Sequence, residues 1–406
     1  KDLGKLNDAE ESIRKAIQLN PHYSVAFCNL GSILRDRCNL KEAEISVRKS
    51  IELNPKFVLA HTTLGSILKD SFKHKEAEES LKTAIKINPN FAEAHNILGH
   101  LYLKQQRFEK GWKECEWRWE KKSLNIGKKL DTKRPEWRPG CKGRLLLWPE
   151  QGLGDEVLFC SLIPDLLNQI DNLILQIDKR LIPLFKRTFG DKIIYFERGI
   201  KIDPKHYDYH ISMASLPKFL RNSLYSFNTS KQLKLKINEE KSNQLRLDLK
   251  GKSNKKIIGI TWKSLNSVVI DKSLTLEQLI LGIFSPNLCF VCLQYGDVDH
   301  EINFIKSKYN ITIHQRKDID VFNNLDDLCS LIKACDEVVS IGNITVNLCG
   351  AIGMECKTLV SGYYPWRYGE DHKYCYWFPS LKIFRSKQSI GLLNHLPKVK
   401  DEIIKE

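Results

Sequence analysis

Residues 54–89 decide the fold of the front of the chain, and they read NPKFVLAHTTLGSILKDSFKHKEAEESLKTAIKINP. An Asn-Pro opens and closes this stretch, Leu64-Gly65 lies in its first half and Ala77 in its second. The same features recur on both sides. Prolines stand at 21, 55 and 89, glycines at 31, 65 and 99, and alanines at 9, 43 and 77, which gives a period of 34 residues. Because proline cannot continue a preceding helix, each Asn-Pro predicts a boundary between units.

This period and these small residues are typical of tetratricopeptide repeats, in which two antiparallel helices per unit cross closely at glycine or alanine. A stack of such units usually holds a protein or peptide on its concave surface and performs no chemistry. The sequence opens at Lys1, inside the second half of a unit, so we expect further repeats to precede it.

Composition excludes several classes of protein. The chain has 406 residues, of which 42% are hydrophobic and 28% charged, as expected for two or three globular domains. We find no apolar run of the ~18 residues that a membrane span needs and no signal peptide, so a cytoplasmic location is expected. The twelve cysteines lie at scattered apolar positions and are predicted to be reduced thiols.

The net charge of +15 is concentrated in the middle of the chain, where residues 121–255 carry 27 basic and 15 acidic side chains. Such an excess attracts an anionic acceptor, a membrane surface or nucleic acid, or simply covers solvated faces with lysine. The sequence carries no helix-turn-helix, zinc or RNA-binding signature, so nucleic acid is not an expected partner.

After the repeats the pattern changes to short apolar runs alternating with amphipathic helices, which is typical of a parallel sheet with helices on both faces. Two such series predict two Rossmann-like lobes with ligands at the carboxyl ends of their strands. The predicted boundaries are 1–120 for the repeats and a tryptophan-rich capping helix, 121–143 for a linker, 144–250 for the first lobe and its connection, 251–388 for the second lobe, and 389–406 for a final helix that crosses back to the first lobe.

The first candidate for chemistry is the loop Glu150-Gln151-Gly152-Leu153-Gly154-Asp155, which follows the first strand of the first lobe and opens a helix. Its glycines let the backbone approach a ligand, and a helix amino terminus favours negative charge. The carboxylate of Asp155 either caps that helix or faces the cleft as a general base.

Four segments together resemble bacterial tetratricopeptide proteins whose second half is similar to the heptosyltransferases, and more distantly the O-linked N-acetylglucosamine transferases. They are Trp148–Asp155, Tyr207–His210 with Ser215–Pro217, Gly259–Lys263 and Leu348–Gly353. The resemblance implies a two-lobed GT-B fold in which the first lobe holds the acceptor, the second binds a nucleotide-sugar, and neither metal nor cofactor is required. It also implies that Asp155 is the catalytic base and that Gln151, Gly152 and Gly154 form the acceptor loop.

A leaving nucleoside diphosphate needs cations and helix-terminal amides around it when no metal is present. Lys263, after the first strand of the second lobe, and Lys272, ahead of the next helix, are placed to supply charge. Gly342, Asn343 and Thr345 lie in a strand-to-helix turn whose amides and hydroxyl suit an anion. Asn347 completes the predicted donor site, although enzymes in the resembling family more often have histidine there and aspartate in place of Gly342.

These features predict a metal-independent glycosyltransferase that moves a sugar from a nucleotide-sugar to an acceptor hydroxyl, with the repeats recruiting a protein partner or substrate. The departures at Gly342 and Asn347 keep an alternative open, a non-catalytic scaffold that carries a degenerate GT-B module. The aromatic loop with Tyr363, Tyr364, Trp366, Arg367, Trp377 and Phe378 is expected to line the lobe interface or to stack on a base or sugar.

Overall fold

The computed structural model describes residues 3–120, 129–251, 254–264, 273–361, 366–370, 373–386 and 390–405. The chain divides into two compact units, Lys1–Ile126 and Gly127–Glu406.

The first unit consists of paired helices that repeat with the predicted period. They are α1 Leu3–Leu19, α2 Ser24–Asp36, α3 Leu40–Leu53, α4 Val58–Asp70, α5 His74–Ile87, α6 Ala92–Lys104 and α7 Phe108–Cys115. Helices α2, α4 and α6 begin at 24, 58 and 92, which are 34 residues apart. Their apolar faces form one continuous core that includes Leu34, Leu64 and Leu98.

The regular spacing of the glycines at 31, 65 and 99 has a packing reason in this unit. A Cβ added to Gly65 would lie 2.5 Å from Cγ of Leu81, and one added to Gly31 would lie 2.2 Å from a methyl carbon of Val47. Ala43 and Ala77 are fully buried on the facing helices. The two helices of each unit therefore approach too closely for a larger side chain.

The tryptophan-rich segment closes the core of the first unit. Trp112 on α7 is 3% exposed. Trp117, in the 3₁₀ turn Glu116–Glu120, stacks on His95 with ring centroids 4.1 Å apart. His95 also contacts the carboxylate of Glu114 at 2.5 Å.

The second unit begins with a four-stranded parallel sheet in the order β3-β2-β1-β4. Its strands are β1 Arg144–Trp148, β2 Asn172–Ile177, β3 Ile193–Glu197 and β4 Tyr209–Ser212. Its helices are α8 Leu153–Cys160, α9 Ile163–Leu166, α10 Ile182–Phe189, α11 Pro217–Leu220 and α12 Leu224–Asn228. Four of the five residues of β1 are buried, as in a sheet covered on both faces.

Helix α13 Glu239–Lys250 leads to a six-stranded parallel sheet in the order β10-β9-β8-β5-β6-β7. Its strands are β5 Lys256–Ile260, β6 Leu288–Cys292, β7 Ile313–His314, β8 Glu337–Ile341, β9 Cys356–Val360 and β10 Leu381–Arg385. Its helices are α14 Leu276–Ile283, α15 Asp299–Tyr309, α16 Leu325–Ala334, α17 Ile344–Ile352, α18 Ile390–Leu393 and α19 Leu396–Lys405. This strand order is that of a complete dinucleotide-binding fold, and the first sheet has the order of its first four strands.

Helical repeats followed by two parallel α/β lobes confirm the predicted fold class. Two details differ from expectation. Trp137, assigned to the linker, is fully buried and its amide donates to the carbonyl of His210, so this segment extends the first sheet beyond β4. The sequence predicts that the final helix crosses back to the first lobe, whereas Leu396, Val399 and Ile403 of this helix pack in the core of the second lobe.

Candidate functional site

Both sheets of the second unit reverse their strand order at one point, between β1 and β4 in the first and between β5 and β8 in the second. Ligands of open parallel sheets bind at such points, outside the carboxyl ends of the strands. The loops that follow β1, β5 and β8 contain the residues predicted for catalysis and donor binding.

Asp155 lies in the first turn of α8 and contacts the second lobe. Gly152 is the N-cap residue of α8, and the cap has no side-chain hydrogen bond. Carboxylate oxygen Oδ1 of Asp155 instead accepts a hydrogen bond from Nη2 of Arg367 at 2.7 Å. The two side chains are 22% and 19% exposed. Asp155 therefore faces the other lobe rather than capping its own helix.

Arg367, which the sequence placed only in the aromatic loop, contacts the predicted base Asp155. Burial, the largest single effect, lowers the pKa of its guanidinium. The charge and hydrogen bond of Asp155, together with Tyr368 and Cys375, outweigh burial, so the pKa is raised. Asp155 and Arg367 are 212 positions apart, so only the docking of the lobes brings them together.

A small cleft opens beside this ion pair. It contains about 140 Å³ of empty space, which includes open solvent, and is lined by Pro149, Glu150, Gln151, Asp155, Glu156, Phe159, Met213 and Ala214. All of these residues belong to the first lobe, and the cleft is too small to hold a nucleotide-sugar.

The neighbouring carboxylate, Glu156, has a different role. It is 1% exposed, accepts the amide hydrogen of Asp178 at 2.7 Å and pairs with Arg198 at 2.7 Å. Burial raises the pKa of its carboxyl group. Arg198 also donates to the carbonyl oxygen of Gln151 at 2.5 Å, so this group fixes the loop after β1.

Asn347 and Gly154 connect the two lobes. Nδ2 of Asn347, on α17, donates to the carbonyl oxygen of Gly154 at 3.0 Å. A Cβ on Gly154 would lie 2.8 Å from this nitrogen, so the glycine permits the approach. In this arrangement the side chain of Asn347 is directed to the lobe interface.

Asn343 organises the turn between β8 and α17. Its Oδ1 accepts from the amide of Thr345 at 3.0 Å, and its Nδ2 donates to Oγ1 of Thr261 at 2.9 Å. Thr261 and Ser340 share a hydrogen bond of 2.5 Å and are fully buried. The turn is therefore held by Ser340 of β8 and by Thr261, which directly follows β5.

Thr345 and Gly342 occupy the same turn in contrasting environments. Thr345 is fully buried, and its hydroxyl has no hydrogen-bond partner among the described residues. Gly342 is exposed, and a Cβ there would meet nothing closer than the Tyr368 hydroxyl at 3.4 Å. Its φ is not positive, so this conformation does not require glycine.

Of the two lysines predicted to bind the donor diphosphate, the structure describes only Lys263. The ammonium group of Lys263 forms an ion pair with Glu301 on α15, and Glu301 also accepts from the indole nitrogen of Trp262 at 2.7 Å. Lys263 is thus engaged within the second lobe. Lys272 lies outside the described residues.

Aromatic side chains line the lobe interface beside the cleft, one of the two roles expected for the aromatic loop. Trp377 is 3% exposed and contacts Phe227 and Phe159 of the first lobe, with centroid separations of 4.9 and 6.0 Å. Trp366 lies 6.0 Å from Trp377 on its other side. Tyr363 and Tyr364 lie outside the described residues.

The structure of the described part of the chain also bears on metal sites, disulfide bonds and membrane-spanning helices. No group of three or more His, Cys, Asp and Glu side chains there is arranged to hold a metal ion. None of the twelve cysteines, all of which the structure describes, forms a disulfide bond. His210 accepts from the indole of Trp148 at 3.2 Å, and burial lowers its pKa. No described helix has both the length and the apolar character to cross a membrane.

Comparisons with known proteins bear on both units. A family model described as TPR repeat matches residues 73–106, and one described as tetratricopeptide repeat matches residues 1–23 and 25–57. The chain is 29% identical over 263 residues to protein FlbA of Caulobacter vibrioides. That match covers 60% of this chain and 44% of the relative, so the chain spans less than half of the relative's length.

Solved structures give looser matches. The crystal structure of MamA is 27% identical, covers 29% of this chain and 70% of that one, and has a TM-score of 0.27. A glycosyl transferase of family 9 from Veillonella parvula is 12% identical, covers 60% of this chain and 86% of that one, and has a TM-score of 0.45. The family models and the 34-residue helical period together identify the N-terminal unit of this chain as tetratricopeptide repeats.

Proposed function

We propose that the second unit is a glycosyltransferase that moves a sugar from a nucleoside-diphosphate sugar to an acceptor hydroxyl. The observation that carries the proposal is the position of Asp155, a carboxylate at the carboxyl edge of the first sheet that points across the lobe interface to a second-lobe cation, Arg367. The sequence resemblance to heptosyltransferases gives Asp155 the same role.

In the proposed reaction the acceptor hydroxyl transfers its proton to the carboxylate of Asp155. The acceptor oxygen forms a bond to the anomeric carbon, and the bond from that carbon to the diphosphate breaks. The nucleoside diphosphate leaves with the electron pair, and attack from the opposite side inverts the anomeric carbon. The amino terminus of α17 and nearby cations stabilise the charge on the leaving group.

The repeats are proposed to recruit a protein or peptide, either as the acceptor or as a partner that positions it. Tetratricopeptide arrays commonly act in this way through their concave surface. The family-model matches to residues 1–23, 25–57 and 73–106 support the presence of such an array in this chain.

Substitution Asp155→Asn tests the catalytic proposal. The assay measures release of nucleoside diphosphate from uridine-, guanosine- and adenosine-diphosphate sugars, alongside calorimetric binding of the three diphosphates. We expect Asp155→Asn to lower turnover at least ~100-fold and still to bind the diphosphate. Asp171→Asn, an exposed position at the opposite end of β2, is the control and should retain activity.

The rival function is a non-catalytic scaffold. It is favoured by the engagement of Asn347 with Gly154 and of Lys263 with Glu301, because both side chains already have partners inside the protein. A scaffold predicts no turnover by the unaltered chain and no change with Asp155→Asn. Failure to bind any of the three diphosphates at millimolar concentration would reject the transferase and leave the scaffold.

A further inference from the structure

We infer that Arg367 is the side chain that binds the diphosphate of the donor, and that Arg367 stays paired with Asp155 until the donor binds. The inference rests on the proposed function and deepens it, because it assigns one residue to the substrate's charged group and couples that residue to the catalytic carboxylate.

The first observation is that the backbone around Arg367 is anchored to the second lobe. The carbonyl oxygen of Trp366 accepts from the Tyr376 hydroxyl at 2.8 Å, and that of Gly369 accepts from Nε of Arg385 at 2.9 Å. Arg385 also donates to the carbonyl of Tyr368. The guanidinium therefore extends to Asp155 from a fixed base in the donor lobe.

The second observation is the proximity of this base to the amino terminus of α17. The hydroxyl of Tyr368, the next residue, would lie 3.4 Å from a Cβ on Gly342. Helix α17 has nine residues, and its amino end favours an anion. Thr345, in the first helical turn, places there a fully buried hydroxyl without a partner among the described residues. Arg367 thus starts beside a turn whose polar groups suit a phosphate.

The third observation is that the guanidinium has donor capacity left. Its Nη2 is bound by Asp155, whereas its Nε is buried and has no hydrogen-bond partner in the described part of the chain. A guanidinium offers five N–H groups in a planar fork that matches two phosphate oxygens. Lys263 is paired with Glu301 of its own lobe, whereas the partner of Arg367 is Asp155 of the other lobe, so of these two pairs only that of Arg367 depends on lobe docking.

In the inferred exchange, the diphosphate of the donor and the carboxylate of Asp155 compete for the guanidinium of Arg367. A diphosphate carries more negative charge than a carboxylate and accepts more hydrogen bonds, so it draws Arg367 away from Asp155. The departure of Arg367 leaves both oxygens of Asp155 open to the acceptor hydroxyl. The base is thereby available only when the donor is in place, which limits unproductive attack.

The exchange makes an unusual prediction for binding, because Asp155 competes with the ligand. Full-length protein is titrated calorimetrically with uridine, guanosine and adenosine diphosphates, and with the corresponding nucleosides as controls. Asp155→Asn should tighten diphosphate binding about 3- to 10-fold, and Arg367→Gln should weaken it about 10- to 100-fold. In the Arg367→Gln background, Asp155→Asn should have no effect. Nucleoside binding should not respond to any of these substitutions.

Arg367→Lys keeps the charge but not the fork, and should give an intermediate loss, which guards against misfolding of the glutamine variant. If the unaltered chain binds a diphosphate but Asp155→Asn does not tighten it, the exchange is refuted while the proposed function stands. If Arg367→Gln and Arg367→Lys bind as tightly as the unaltered chain, the assignment of Arg367 is refuted in the same way. If no diphosphate binds to any variant, the proposed function falls and the inference falls with it.

Discussion

Substitution Gly154→Ala tests the close approach of the two lobes at α8 and α17. The added Cβ would lie 2.8 Å from Nδ2 of Asn347 and 3.9 Å from the next nearest atom. Because Asn347 is 4% exposed, its amide has little room to move aside. The hydrogen bond from Nδ2 to the carbonyl of Gly154 should therefore break.

Two effects of opposite sign determine the result. Loss of the hydrogen bond and burial of an unpaired amide cost about 1–3 kcal/mol. Replacement of glycine by alanine within a helix stabilises the folded state by about 0.5–1 kcal/mol. We expect a net destabilisation of about 1 kcal/mol in the unaltered chain. In an Asn347→Ala background the clash is absent, so the same substitution should stabilise the protein by about 0.5 kcal/mol.

The measurement is a double-mutant cycle on the full chain by urea denaturation, with melting temperature as a second readout at about 2–4 °C per kcal/mol. The expected coupling between Gly154→Ala and Asn347→Ala is about 1.5 kcal/mol. Gly152→Ala is the matched control, because a Cβ there has no heavy atom within 4 Å. Its effect should be the same in both backgrounds. Equal effects of Gly154→Ala in the two backgrounds would refute the contact.

Two further predictions concern the turn after β8 and the repeats. Asn343→Ala should destabilise the second unit by about 1–3 kcal/mol in urea denaturation, because it removes the helix cap and the bond to Thr261, whereas Gly342→Ala should stay within about 0.5 kcal/mol. Burial opposes ionisation of Glu78, but hydrogen bonds led by Arg107 outweigh it and lower the pKa to about 2. A carboxyl group whose pKa is lower in the folded state stabilises that state at pH values above its pKa in the unfolded state. Thermal melting followed by circular dichroism should therefore show that the repeats lose stability as the pH falls from about 4.5 to 2. Glu78→Gln should make that loss smaller, and an unchanged pH profile would contradict the assignment.

Most of the fold can be predicted from the sequence because the spacing of apolar and small residues along the chain reflects its helices and strands. The 34-residue period predicts the helical pairs, and short apolar runs alternating with helices predict the two parallel lobes. The strand Leu381–Arg385 has a weaker signal because Lys382 and Arg385 interrupt its apolar pattern. Lys382 forms an ion pair with Glu402 of the final helix, a partner that the sequence pattern does not reveal.

The candidate site was predictable only in part. Segments that directly follow a predicted strand can be identified from the sequence, and Asp155 and Asn343 are candidate site residues for that reason. Arg367 was not singled out, because its role depends on a residue 212 positions away. The same limit applies to Asn347, whose partner Gly154 is 193 positions away. Strand patterns specify each lobe separately and contain no direct signal of how one lobe meets the other.

The lobe contact also gives a physical reason for the departure at position 347. The asparagine amide donates to the carbonyl oxygen of Gly154 at 3.0 Å, and the Asp155–Arg367 pair spans the same two lobes. Asparagine at this position therefore supports the contact between α8 and α17. Asn347 carries no positive charge, but Arg367 places a cation at the same interface, so the substitution of asparagine for histidine does not leave the interface without one.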